Sequence, residues 1–120
     1  MKKWIILSLA AVLAGCGATP YHRGYGDSQL GPDTYRIHSV VNGFSARTRA
    51  EGIALLRAAE IACVRGYEGF KVTEKTALYE GSITHATITV DVTPMVSEYD
   101  ARFLLDSLSR QLEAKIRCKF

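Results

Sequence analysis

The sequence predicts an α+β fold, a β-α-β-β-α two-layer sandwich with a three-stranded sheet in order 1-3-2 and two helices on one face. Three observations carry this expectation. Residues 34–41 and 82–93 alternate apolar and polar side chains, the period of half-buried strands. Residues 98–117 repeat apolar side chains at the spacing of an amphipathic helix. Asn42-Gly43, Gly66 and Glu80-Gly81 supply the turns between segments.

The chain opens with Lys2 and Lys3, followed by an apolar run over residues 4–14 in which only Ser8 is polar. A membrane-spanning helix needs roughly 20 apolar residues, so this run is too short to span comfortably. A charged start, a short apolar core and small residues at its end mark a secretory signal peptide. Leu13-Ala14-Gly15-Cys16 resembles a lipobox, the processing signal of bacterial lipoproteins. The resemblance implies that Leu13, Ala14 and Gly15 are read by the signal peptidase. It also implies that the Cys16 thiol carries diacylglycerol and that Cys16 becomes an acylated N-terminus. A single acyl chain holds a protein only marginally, whereas two or three hold it firmly. The competing reading is an ordinary signal peptide cut after Ala18. Gly17 stands where an Asp favours inner-membrane retention in enteric lipoproteins, so the outer membrane facing the periplasm is expected.

Residues 16–32 hold Pro20, Pro32 and several glycines, and read as a lipidated cysteine on a flexible tether with a mean reach of about 20–25 Å. Residues 33–120 form the single domain. Its first strand, 34–41, places Tyr35, Ile37 and Val41 inward and Arg36, His38 and Val40 outward. The first helix, 46–65, takes Ser45 as N-cap and Gly66 as stop. Leu55, Leu56, Ala59, Ala62 and Cys63 share one side, and Arg57 and Glu60 sit at pairing distance along the helix. The second strand, 69–79, points Phe70 and Val72 inward and Lys71, Thr73 and Lys75 outward; its later half alternates poorly. The third, 82–93, sets Ala86, Ile88, Val90 and Val92 against Thr87, Thr89, Asp91 and Thr93. The second helix, 98–117, carries the stripe Ala101, Leu104, Leu105, Leu108, Leu112 and Ile116, with Ser97 and Asp100 resembling a capping box.

A helical crossover makes strands one and two parallel and right-handed. A hairpin sets the third strand between them, as in a ferredoxin-like sandwich without its last strand. The helices then run antiparallel, which puts Cys63 and Cys118 at opposite ends of the domain. A bridge needs Cα atoms within about 7 Å, so two separate thiols, Cys63 buried, are expected.

The chain carries 15 Lys and Arg against 12 Asp and Glu. Loss of Lys2 and Lys3 with the leader brings the balance close to neutral. With no basic stripe, a nucleic-acid partner is not expected. There is no Cys-x-x-Cys, no His-Glu-x-x-His and no phosphate-binding glycine loop. No set of base, nucleophile and oxyanion donor can be assembled, so neither an enzyme nor a cofactor is expected. His38 and His85 fall on neighbouring strands and offer two metal ligands where a site needs three or four. Cys63 beside His38 offers a thiol nucleophile, but a small core residue explains it more simply. Arg36, His38, Lys71, Thr87, Thr89 and Asp91 mark the open sheet face as a partner surface.

Asp33-Thr34-Tyr35-Arg36-Ile37, Asn42-Gly43 and Leu55-Leu56-Arg57-Ala58-Ala59-Glu60 resemble the central block of a family of small, uncharacterised proteobacterial envelope lipoproteins. Gln29-Leu30 and Tyr99-Asp100-Ala101-Arg102 extend the likeness. That family usually has a longer polar insert where this chain has only Glu80-Gly81. The resemblance implies an envelope lipoprotein and brings no catalytic residue with it. The expectation is a lipid-anchored, non-enzymatic module that binds or scaffolds an envelope protein or glycan. The alternative is a small-ligand or metal-binding periplasmic lipoprotein.

Overall fold

The computed structural model describes residues 20–43, 46–116 and 118. Leu13, Ala14, Gly15 and Cys16 lie outside these residues, as do Ser45 and Arg117. A single 3-10 turn, Tyr21–Arg23, leads into β1 (Tyr25–Gln29) and β2 (Thr34–Asn42). Helix α1 (Ala46–Val64), β3 (Gly69–Glu80), β4 (Ile83–Thr93), β5 (Tyr99–Asp100) and α2 (Ala101–Gln111) follow.

The fold is α+β, with an antiparallel sheet and two helices. The sheet has five strands in order β1-β2-β4-β3-β5, which corrects the expected three. Its centre, β2-β4-β3, keeps the expected 1-3-2 arrangement; the two additions are edges. Tyr25–Gln29, expected to be flexible tether, pairs antiparallel with β2 from Tyr25↔Ser39 to Gln29↔Tyr35. β5 adds only two pairs, Gly69↔Asp100 and Phe70↔Tyr99. β1 escaped the sequence reading because its residues are mostly polar and an edge strand buries little.

The inward faces of β2 and β4 bury Ile37, Ser39, Val41, Ala86, Ile88, Val90 and Val92 against α1. The Ser39 hydroxyl donates to the Ala50 carbonyl at 2.7 Å, so this polar side chain is satisfied inside the core. The second half of α1, from Ile53 to Cys63, is buried nearly all round, with only Leu55 and Arg57 half-buried, whereas Arg47 and Thr48 of the first turn are exposed. A helical stretch apolar on nearly every side must be enclosed. The sheet covers one side of α1 and α2 packs on another. Alanine at 50, 54, 58, 59 and 62 permits this close wrapping.

Glu60 is the exception in that helix. Glu60 is 8% exposed, and its carboxylate accepts a hydrogen bond from the hydroxyl of Tyr21, itself 2% exposed. Arg57 approaches Glu60 at 3.6 Å but bonds Asp27 of β1 more closely, at 2.7 Å, and lies over the Tyr25 ring. Burial works against the Arg57 charge, but the Asp27 hydrogen bond and the charges of Tyr25, Asp27 and Glu60 outweigh it and raise its pKa. The segment from Tyr21 to Asp27 is therefore bolted to α1 by one buried hydrogen bond, Tyr21–Glu60, and one exposed ion pair, Asp27–Arg57.

A β-bulge between Val72 and Glu74 reverses the facing of the rest of β3. Lys75, expected outward, turns to the helix side and pairs with Glu51. Tyr79 follows it, with the Arg47 guanidinium 3.8 Å over its ring. The bulge accounts for the poor alternation in this stretch of sequence. At the start of β3, a Cβ on Gly69 would fall 2.6 Å from the Met95 carbonyl oxygen, so only glycine lets the β4–β5 connection cross here.

α2 ends at Gln111, six residues before the expected end. Asp100, expected to complete a capping box with Ser97, is itself the N-cap and accepts from the Phe103 amide at 3.2 Å. At the other end Glu113 takes φ 52°. The Ala114 amide reaches the Ser109 carbonyl and the Glu113 amide the Arg110 carbonyl, a Schellman ending with glutamate where glycine is usual. The chain then doubles back from Leu112, which packs beside Gly52, to Cys118, which is bonded to Cys63. The Cα atoms of Cys63 and Cys118 are 6.1 Å apart. The expectation of two separate thiols is thus overturned. The helices do run antiparallel, but α2 stops early and its tail returns along α1.

Two predictions follow from this packing. In the chain-entropy account a loop of 55 residues makes the disulfide worth about 4 kcal/mol. Cys118→Ser is expected to cost roughly 2–4 kcal/mol in denaturant unfolding, with little change in the circular dichroism of the native state. Tyr21→Phe leaves the Glu60 carboxylate without its donor and is expected to cost about 1–3 kcal/mol. Burial and then the bond to Glu60 push the Tyr21 pKa far above its ordinary value of 10.0. Its stabilising effect is therefore complete below pH 10 and declines above it, where the unfolded chain ionises and the folded one does not. Unfolding curves from pH 9 upward are expected to show a shallower alkaline loss in Tyr21→Phe than in the parent.

Candidate functional site

Among the described residues nothing covers the face of the sheet opposite the helices, and the register arranges its side chains in rows across β2, β4 and β3. One row is Thr34–Asp91–Lys71 and the next is Arg36–Thr89–Glu74. Then come His38–Thr87–Thr76 and Val40–His85–Leu78. Asn42–Ile83–Glu80 closes the face at the hairpin. Val40, Leu78 and Ile83 gather toward the β3–β4 hairpin, between the charged rows at the start of β2 and Glu80 in the last row. Strand alternation sets which residues share the face, because each strand contributes every second residue to it.

Hydrogen bonds fix several of these side chains. Thr34 Oγ1 donates to Asp91 Oδ1 at 2.6 Å. Thr87 Oγ1 and His38 Nδ1 share a bond of 2.8 Å. The other nitrogen of His38, Nε2, lies 3.5 Å from His85 Nδ1, and the ring centroids are 5.5 Å apart. Arg36, Glu74, Thr76, Thr87 and Thr89 together line a depression in the middle of the face.

Five of the six partner-face residues inferred from the sequence, Arg36, His38, Thr87, Thr89 and Asp91, lie on β2 and β4 and adjoin one another. The sixth, Lys71, sits on β3 opposite Asp91. The sequence reading missed Glu74, Thr76 and Leu78 as members of this face, because without the bulge they would point to the helices. It also missed the free length of the β3 edge. β5 covers only Gly69 and Phe70, while a Glu98 carboxylate oxygen accepts the Val72 amide at 3.2 Å.

The other chemical candidates resolve differently. Cys63 is in a disulfide, so no thiol stands near His38. Arg57 and Glu60 are committed to Asp27 and Tyr21. Among the described residues no three His, Cys, Asp or Glu side chains gather where they could hold a metal. No helix among the described residues is long and apolar enough to cross a membrane.

No protein-family model, curated protein or solved structure matches this chain, so the likeness to envelope lipoproteins rests on its sequence motifs.

Proposed function

We propose that the protein is a lipid-anchored module of the bacterial envelope, held through Cys16 at the periplasmic side of the outer membrane. In this reading it is non-enzymatic and binds or scaffolds an envelope protein or glycan through its open sheet face. The observation that carries the reading is that face itself. Two helices bury one side of the sheet, whereas the other presents the hydrogen-bonded pairs Thr34–Asp91 and His38–Thr87 beside Arg36, with no described residue packed over them. Preordered side chains lose less freedom on binding, which favours recognition. The lipobox motif and the short apolar leader support the anchor.

Crosslinking in intact cells, with Cys16→Ser as the untethered control, tests the proposal. One dominant envelope partner, weakened in the control, is expected. The double variant Arg36→Glu, Lys71→Glu is expected to lose that partner while native circular dichroism and the Cys63–Cys118 bridge persist. Capture that is indifferent to both charge reversals would sink the open face as the binding surface.

The imidazole contact between His38 and His85 favours a second reading, in which the face holds a transition-metal ion. Two such ligands need others from a partner or from water. Zinc or copper is then expected to raise the melting temperature of the parent and to leave a His38→Ala, His85→Ala variant unchanged.

A further inference from the structure

The anchor residue and the docked N-terminal segment are separated by very little chain. Only residues 17–19 lie between Cys16 and Pro20, and Tyr21 is bolted to α1 through Glu60. Four residues of extended chain span at most about 14 Å. A lipid on Cys16 would therefore hold the domain against the bilayer by one particular end, instead of letting it drift on a long tether.

That end can be named. Pro20, Tyr21 and His22 line one depression with Arg49 of α1 and the Gln111–Ala114 turn. Arg49, Gln111 and Leu112 continue into a second depression that reaches Arg47 and Tyr79. The Gly24 carbonyl accepts the Val40 amide, which places the N-terminal segment at the hairpin end of β2. The same end exposes Val40, Leu78, Tyr79 and Ile83, at 37%, 56%, 48% and 36%. Aliphatic side chains, a tyrosine and arginines at one end of a lipid-tethered domain are the composition of a membrane-interface contact.

We infer that the β3–β4 hairpin end is a lipid-contacting face, with Tyr79, Leu78, Ile83 and Val40 entering the headgroup region and Arg47 and His22 beside them. The occupant is the bilayer surface in which the acyl chains of Cys16 are embedded. The strands then stand along the membrane normal. The Thr34–Asp91–Lys71 row lies farthest from lipid, and the Val40–His85–Leu78 and Asn42–Ile83–Glu80 rows lie nearest. This inference rests on the lipid-anchor reading.

The single tryptophan of the chain, Trp4, belongs to the leader, so a processed protein contains none. Tyr79→Trp and Ile83→Trp therefore each introduce a lone reporter at the hairpin end, and Phe103→Trp places one in the first turn of α2, at the far end. Each full chain is expressed, its mature mass is measured, and the protein is reconstituted in phosphatidylethanolamine–phosphatidylglycerol vesicles containing brominated lipid. A ring buried 5–10 Å into the interface should be quenched about threefold more strongly than one held roughly 30 Å away. The expected result is strong quenching at 79 and 83 and little at 103. A mature mass showing diacylated Cys16 with equal or reversed quenching overturns the lipid-contacting face and leaves the anchor intact. A mass without lipid overturns both.

Discussion

A carboxylate sits in the half of α1 that is enclosed on nearly every side. Glu60 is enclosed among the alanines of α1, and an ionised carboxylate taken from water without partners is very costly. Its donor comes from the Tyr21 hydroxyl, 39 residues earlier in the chain. The guanidinium at 3.6 Å comes from Arg57, which is in turn fixed by Asp27 on β1. One buried acid thus obliges the N-terminal segment to fold back over α1. Two results follow: the edge of the sheet beside β2 is closed by β1, and the domain body begins at Pro20. Removing one partner of such a group costs more than the net worth of the bond, because the other partner is left buried and unpaired.

The disulfide works on the opposite flank by a different route. α2 is amphipathic as written in its sequence, and its stripe would continue smoothly to Ile116. The chain leaves the helix at Leu112 instead, with Glu113 in a left-handed conformation that glycine adopts more readily. That turn sends the tail back to Cys63, and Ile116 packs on the core from the returning strand of chain instead of from a helix. An exposed acidic residue with positive φ is held there by the Schellman hydrogen bonds and by the covalent bridge farther on. α1 is therefore wrapped by the sheet, by α2, by the disulfide-bonded tail and by the N-terminal segment.

The central pattern was legible in the sequence because it depends on alternation and periodicity. The three long strands, both helices and the order β2-β4-β3 follow from the period-two runs, the turns and the handedness of crossovers. What was not legible depended on contacts distant in sequence. β1 has no apolar alternation, since its binding energy comes from one edge ladder and from Arg57. Helix termination at Gln111 has no glycine to signal it, so the apolar stripe carried the expectation too far. The bulge at Thr73 removes three residues from one face and adds them to the other. Five members of the candidate surface lie on the two strands that alternate cleanly, where sequence alone fixes the facing. Those missed, Glu74, Thr76 and Leu78, lie beyond the bulge. A break in alternation such as that in residues 73–79 is itself a signal of a bulge and could have marked them.

The gathering of Val40, Leu78 and Ile83 at the hairpin end of the open face links the two halves of the functional reading. Val40 and Leu78 flanking His85 on a solvent-facing sheet have no obvious benefit for a free-floating domain. Placed against lipid headgroups, the same row gains burial and the hairpin edge is screened from other chains. The polar rows centred on Thr89 and Asp91 then stand clear of the membrane on a surface that faces sideways. A fixed end-on orientation also raises the effective concentration of that surface for any second component anchored in the same membrane, because both search in two dimensions at a matched height. In the lipid-anchored reading the buried Tyr21–Glu60 bond would set that height, since it leaves few residues between Cys16 and the folded body.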